Sequence, residues 1–152
     1  MTRARHAHPA ARRRPQSGFG LLEVLVAVVI LSIGLLGLAG LQLRTLRNNE
    51  SSLERGMAVV ETHSIVEAMR ADRTNAINGT FNIAITADPP TGTTFADTAV
   101  AAWRANLTSL LGSGASGAVA CNGTDCTITV QWDDSRGTGG SSTFSVQTQV
   151  QL

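Results

Sequence analysis

Gly18-Phe19-Gly20-Leu21-Leu22-Glu23 opens the run FGLLEVLVAVVILSIGLLGLAGLQL, which extends from Phe19 to Leu43. Its stretch from Val24 to Leu43 is 20 residues without a charge. At 1.5 Å rise per residue a helix of that length spans roughly 30 Å, the thickness of a bilayer core. A carboxylate inside such a helix is costly, about 2.5–3.5 kcal/mol at the centre and less near the interface. Glu23 therefore reads in two ways: a helix-start carboxylate favoured by the macrodipole, or the partner of a positive group. A free α-amino group at Phe19, made by cleavage after Gly18, would be such a group, on the same or a neighbouring subunit.

The residues before this run are basic. All 12 basic residues of the chain are Arg, and Arg3, Arg5, Arg12, Arg13 and Arg14 precede the run with no acidic residue among them. By the positive-inside rule this places residues 1–18 on the cytoplasmic side as a targeting leader. That reading argues against nucleic-acid binding. The remainder carries seven Arg against 11 Asp and Glu. Arg12-Arg13 lacks the tail of a twin-arginine signal. His6 and His8 fall in the leader and make no convincing metal site.

Helical patterning continues past the apolar run. Leu46, Leu53, Met57 and Val60, and then Ile65, Ala68 and Met69, recur at spacings of three, four and seven. Glu50, Glu54, Arg55, Glu61, Glu67 and Arg70 occupy other positions. One helix is predicted from Phe19 to about Asn75, apolar all round in its first half and amphipathic in its second. Gly34, Gly37 and Gly40 weaken the first half by about 0.8–1 kcal/mol each against Ala, which suits close helix packing or local unravelling. Gly is also simply common in membrane helices.

After Gly79 the period changes to two. Thr80–Thr86 reads as a half-buried strand and Ala87–Thr94 as a loop. Ala96–Leu111 reads as a short helix with Val100, Trp103, Leu107 and Leu110 or Leu111 on one side. Gly112–Gly117 is a flexible link. Strands follow at Ala118–Cys121, Cys126–Trp132 and Thr143–Leu152, the last with Phe144, Val146, Thr148, Val150 and Leu152 on one face. Asp133–Ser142 is turn-rich; Asp133 and Asp134 read as a solvated turn before a calcium site. The fold class is α+β, a long helix packed on a small antiparallel sheet.

Gly-Phe-x-Leu-x-Glu followed by such a run resembles the class III signal of type IV prepilins and type II secretion pseudopilins. The resemblance implies a prepilin peptidase that cuts between Gly18 and Phe19 and N-methylates Phe19, and it gives Glu23 a role in assembly. Gly20 stands where many members have Thr or Ser. Ile33–Gln42, Glu67-Ala68-Met69-Arg70-Ala71-Asp72-Arg73, Trp103 and Thr127–Asp134 are similar to stretches of PilV-type minor pilins. The implied partners are prepilin peptidase, other major and minor pilins, the inner-membrane assembly platform and the lipid bilayer.

The resulting organisation is a cleaved leader (1–18), a transmembrane and assembly half-helix (19–43), and a periplasmic head (44–152). The expected location is the bacterial inner membrane, single-pass, and then a pilus. Cys121 and Cys126 flank Asn-Gly-Thr-Asp at hairpin spacing; outside the cytoplasm a disulfide is expected. Two thiols without nearby His cannot complete a zinc site, and no metal or cofactor is expected. No Ser/His/Asp, Cys/His or phosphate-cradle constellation occurs, which argues against an enzyme. The expected function is therefore a minor pilin in type IV pilus assembly. Three alternatives stand beside it: a minor pseudopilin of type II secretion, a periplasmic binding protein with an ordinary signal peptide cut after Gly37-Leu38-Ala39, and a signal-anchored enzyme.

Overall fold

The structure, a computed structural model, describes residues 18, 20–137 and 139–152. Its elements are α1 (Leu21–Ala71), α2 (Arg73–Ile77), α3 (Phe95–Leu111), β1 (Ser116–Asn122), β2 (Asp125–Trp132) and β3 (Phe144–Gln151). The strands form one antiparallel sheet in the order β1-β2-β3. The fold is α+β and pilin-like, as the sequence predicts. The chain divides into two compact units, with the boundary between Gly40 and Leu41.

In the first unit, Leu21–Gly40 is helical and exposed throughout. An 18-residue window of α1 has a mean hydropathy of 2.8, long and apolar enough to cross a membrane. Nothing in a polar solvent would favour that arrangement, because every Leu and Val here leaves its apolar surface uncovered.

In the second unit the core lies between α1, α3 and one face of the sheet. Ala58, Ile65, Val66 and Met69 from α1 and Val100, Trp103, Leu107 and Leu111 from α3 join Val119, Ile128, Val130 and Trp132 from the sheet. Helix α3 begins with a capping box: Asp97 N–H donates to Thr94 Oγ1 (3.1 Å) and Thr94 N–H to Asp97 Oδ2 (3.3 Å). Gly117 is fixed by packing, since a Cβ there would fall 2.2 Å from the Trp103 ring. The Trp103 indole N–H donates to Glu61 O (3.0 Å), tying α3 to α1.

Three expectations change. First, Leu46, Leu53 and Val60 are exposed and Met57 only half-buried, whereas Ile65 and Met69 are buried. The step from Val60 to Ile65 is five residues, about 500° of helix rotation, so the two sets lie on different faces. The face of α1 turned to the core between Ser51 and Thr62 carries Ser51, Glu54, Ala58, Glu61 and Thr62. Second, the helix breaks at Asp72 and resumes as α2, where Asn75 Nδ2 donates to the Asp72 carboxylate. Third, Thr80–Thr86 is no strand. It makes one bridge, Ile83 to Val119, beside β1. Its side chains alternate in burial as predicted, with Phe81 inside. Its backbone makes local turn bonds and that one bridge instead of a ladder, and side-chain bonds hold the segment in place. Arg104 donates to Ala84 O and Ala87 O, Ser116 Oγ to Ile85 O, and the Asn82 amide exchanges two bonds with Cys121. Burial holds the Arg104 pKa below the ordinary arginine value, against the opposing pull of Asp88.

Candidate processing and assembly site

The helix start is built by Gly20, whose carbonyl accepts from Glu23 N–H (2.9 Å) and Val24 N–H (3.3 Å). This puts Glu23 in the first turn of α1, where the positive end of the helix dipole favours a carboxylate. The Glu23 side chain is exposed, and among the described residues it has no hydrogen-bond or ion-pair partner. Gly18 is exposed and Phe19 lies outside the described residues, as do the leader arginines. The proposed cut thus falls immediately before a helix whose first turn offers an unengaged carboxylate among apolar neighbours. That arrangement can receive a cation; it supplies no nucleophile and no acid–base pair.

Cys121 and Cys126 face each other across the β1–β2 ladder and are bonded in the structure, with Sγ–Sγ 2.09 Å and Cα–Cα 4.0 Å. The strands run on to Asn122 and Asp125, leaving only Gly123 and Thr124 as the loop. Gly123 has φ +64°, the left-handed value that a tight hairpin requires of its first central residue. The bond sits at the far end of the sheet from β3's start.

The Asp133–Ser142 loop is where sequence reading missed the organising residue. Asp133 behaves as expected of a turn: Oδ1 accepts from Ser135 N–H (2.9 Å), and the Ser135 side chain first and its N–H second lower the Asp133 pKa. Asp134 is only 1% exposed, contrary to the solvated-turn expectation. Its Oδ2 accepts from Arg55 Nη2 (2.8 Å) and Ser51 Oγ (3.0 Å). Burial by itself would raise the Asp134 pKa. The hydrogen bonds from Arg55 and Ser51, with the charges of Arg55 and Arg136, outweigh it and hold the pKa below the ordinary carboxylate value. Arg136 reaches back to Glu50 (3.2 Å) and Glu54 (2.7 Å), and the Arg55 guanidinium lies 4.3 Å from the centre of the Phe144 ring. The loop therefore clamps α1 to the β2–β3 connection. In this cluster Arg55 and Arg136 are set against the carboxylates of Asp134, Glu50 and Glu54. Among the described residues no group of three or more His, Cys, Asp or Glu is placed to hold a metal.

Residues 13–39 match the family model described as the prokaryotic N-terminal methylation motif, the processing signal of type IV prepilin-like chains. No curated protein and no solved structure matches the chain. The match covers Gly18, Phe19 and Glu23 together with most of the apolar run and stops one residue short of the boundary between the two units.

Proposed function

We propose that this chain is a minor pilin of the PilV type, a structural subunit and not an enzyme, that takes part in type IV pilus assembly. Prepilin peptidase removes residues 1–18 and methylates the amino group of Phe19. The single observation that carries this reading is the methylation motif over residues 13–39, followed by an exposed, membrane-length apolar helix. The apolar start of α1 first holds the subunit in the inner membrane, with the head in the periplasm. It then exchanges lipid for the apolar helices of other pilins. In that exchange, water and headgroups are withdrawn from Glu23. An unpaired carboxylate is then penalised, so Glu23 is retained by pairing with the terminal amine of its own or a neighbouring subunit. In the oxidising periplasm Cys121 and Cys126 remain bonded.

The test is Glu23→Ala. The variant is expected to be cleaved after Gly18 and to stay in the membrane, while its recovery in sheared filaments, or its support of pilus initiation, falls. Wild-type assembly by a correctly processed Glu23→Ala chain would remove the pairing role. Absence of the wild-type chain from filaments, together with normal piliation in a deletion strain, would remove the pilus reading.

A further inference from the structure

The two edges of the sheet are finished differently. At β1 the chain covers its own edge. Ile83 N–H donates to Val119 O (2.9 Å) and Val119 N–H to Ile83 O (3.1 Å). Further along, Cys121 N–H donates to Asn82 Oδ1 (2.8 Å) and Asn82 Nδ2 to Cys121 O (3.2 Å). The outward backbone groups of Val119 and Cys121 are thereby closed to any further strand. β3 pairs only with β2, and among the described residues no hydrogen bond reaches the backbone on its other side.

The register says which groups lie open there. Leu152 N–H donates to Thr124 O (2.9 Å), continuing the ladder beyond the Asp125–Gln151 pair. Bonded and unbonded pairs alternate along an antiparallel ladder, so the even-numbered residues of β3 turn their backbone groups to β2. The other side of the sheet gives the same parity. Val119 faces Ile83, so its β2 partner Ile128 faces Thr148 of β3. Ser145, Gln147, Gln149 and Gln151 therefore each point an N–H and a C=O out of the sheet. Nothing in the strand blocks pairing. FSVQTQVQ carries no charge, no Pro and no Gly, and its register with β2 runs without a bulge. Its inward row is also incompletely covered: Phe144, Val146, Thr148 and Val150 are half-buried, whereas Cys126, Ile128, Val130 and Trp132 beside them are 0–2% exposed.

We propose that β3 is an acceptor edge for an extended segment of a different polypeptide, which joins the sheet as a fourth strand. A row of alternating backbone donors and acceptors is satisfied in full only by another extended backbone. The half-covered inward row calls for apolar residues at every second position of that segment, and the glutamine side for uncharged ones between them. Proline is excluded where an N–H must bond. A second copy of this chain fits less well. The two-fold axis that pairs two β3 edges antiparallel stands perpendicular to the sheet and reverses every direction along its face, including the run of the α1 residues packed on it. Two chains anchored in one membrane point the same way. That exclusion alone rests on the proposed function.

The experiment follows amide hydrogen exchange in the full chain in detergent micelles, alone and with the synthetic peptide Phe-Ser-Val-Gln-Thr-Gln-Val-Gln. This probe meets both side-chain requirements. In the chain alone, the amides of Ser145, Gln147, Gln149 and Gln151 should exchange as open groups while those of Val146, Thr148 and Val150 are protected. The peptide should bind once per chain and slow exchange at those four open amides several-fold. Gln147→Pro removes an N–H that the fold does not use, and Gln149→Lys sets a charge on the edge. Each should weaken peptide binding several-fold and leave the thermal midpoint of the head in place; Gln149→Lys decides alone if Gln147→Pro fails to fold. Protection of the four amides in the chain alone would overturn the proposal, assigning the edge to a second copy if the mass is doubled and to the chain itself if it is not. Peptide binding that leaves them open, that Gln149→Lys does not weaken, or that never saturates and marks only an aggregating edge would overturn it too. None of these outcomes depends on cleavage at Gly18, so a chain that fails as a pilin subunit can still pass this test, and the reverse.

Discussion

The two parts of α1 obey opposite rules. From Leu21 to Gly40 the side chains are apolar and uncovered; from Ser51 to Thr62 the side chains turned to the core are largely polar and covered. The first part is written for a solvent that is not water, where apolar surface costs nothing. The second is written for a small head with few large apolar residues to spare, in which buried polar groups are held by partners, Glu61 Oε2 and Asp134 Oδ1 excepted. Ser51 and Arg55 meet Asp134, Glu54 meets Arg136, and Thr62 Oγ1 donates to Ala58 O (2.8 Å). Hydrophobicity by itself therefore locates the anchor and mislocates the head contact.

The comparison breaks first, if it breaks, at the core. Trp103→Ala removes a buried ring and the bond to Glu61 O, and is expected to destabilise the head by about 3–5 kcal/mol in denaturant titration. A matched pair sharpens the contrast between the two apolar rows. Ile65→Ala is expected to cost about 2–4 kcal/mol, whereas Leu53→Ala should stay within about 0.5 kcal/mol. Equal losses at both positions would mean that Leu53 is a core residue after all.

Asp134→Ala tests the polar contact and is expected to cost about 2 kcal/mol. That is less than for a fully buried pair, because Arg55 keeps about half its side chain in solvent. The pH dependence has a definite sign. The folded pKa of Asp134 is depressed, so its contribution is complete above the unfolded value of about 3.9 and is lost as pH falls through the folded value. Acid titration of stability should show that loss in the wild type and show it reduced in Asp134→Asn. The Cys121–Cys126 bond is expected to contribute no more than Asp134 does. Its loop is short, so reduction should lower the unfolding free energy by about 2 kcal/mol at most, and non-reducing peptide maps of periplasmic protein should find the two linked.

How much was legible follows from how local each signal is. The Gly18–Glu23 segment and the run behind it are read directly, because membrane span length is a property of consecutive residues. The alternation in β2 and β3 is equally local, and the faces of Phe144, Val146 and Val150 follow from it. The clamp was not legible: Ser51 and Asp134 are 83 residues apart, and Asp133-Asp134 has the composition of a solvated turn. The Thr80–Thr86 alternation was sound as burial and unsound as a strand, because the side chains that take its carbonyls, Arg104 and Ser116, come from elsewhere in the chain. Spacing also cannot say which of two apolar rows a sheet will cover, so Leu53 and Val60 read no differently from Ile65 and Met69 although only the latter pair is buried.

The account stands or falls on what becomes of the chain's amino terminus. Intact-mass and peptide mass spectrometry of protein taken from its native membranes should find a chain beginning at Phe19 with one added methyl group on its α-nitrogen. A mature chain that begins at Gly40, or one that keeps Met1 and the basic leader, would contradict it.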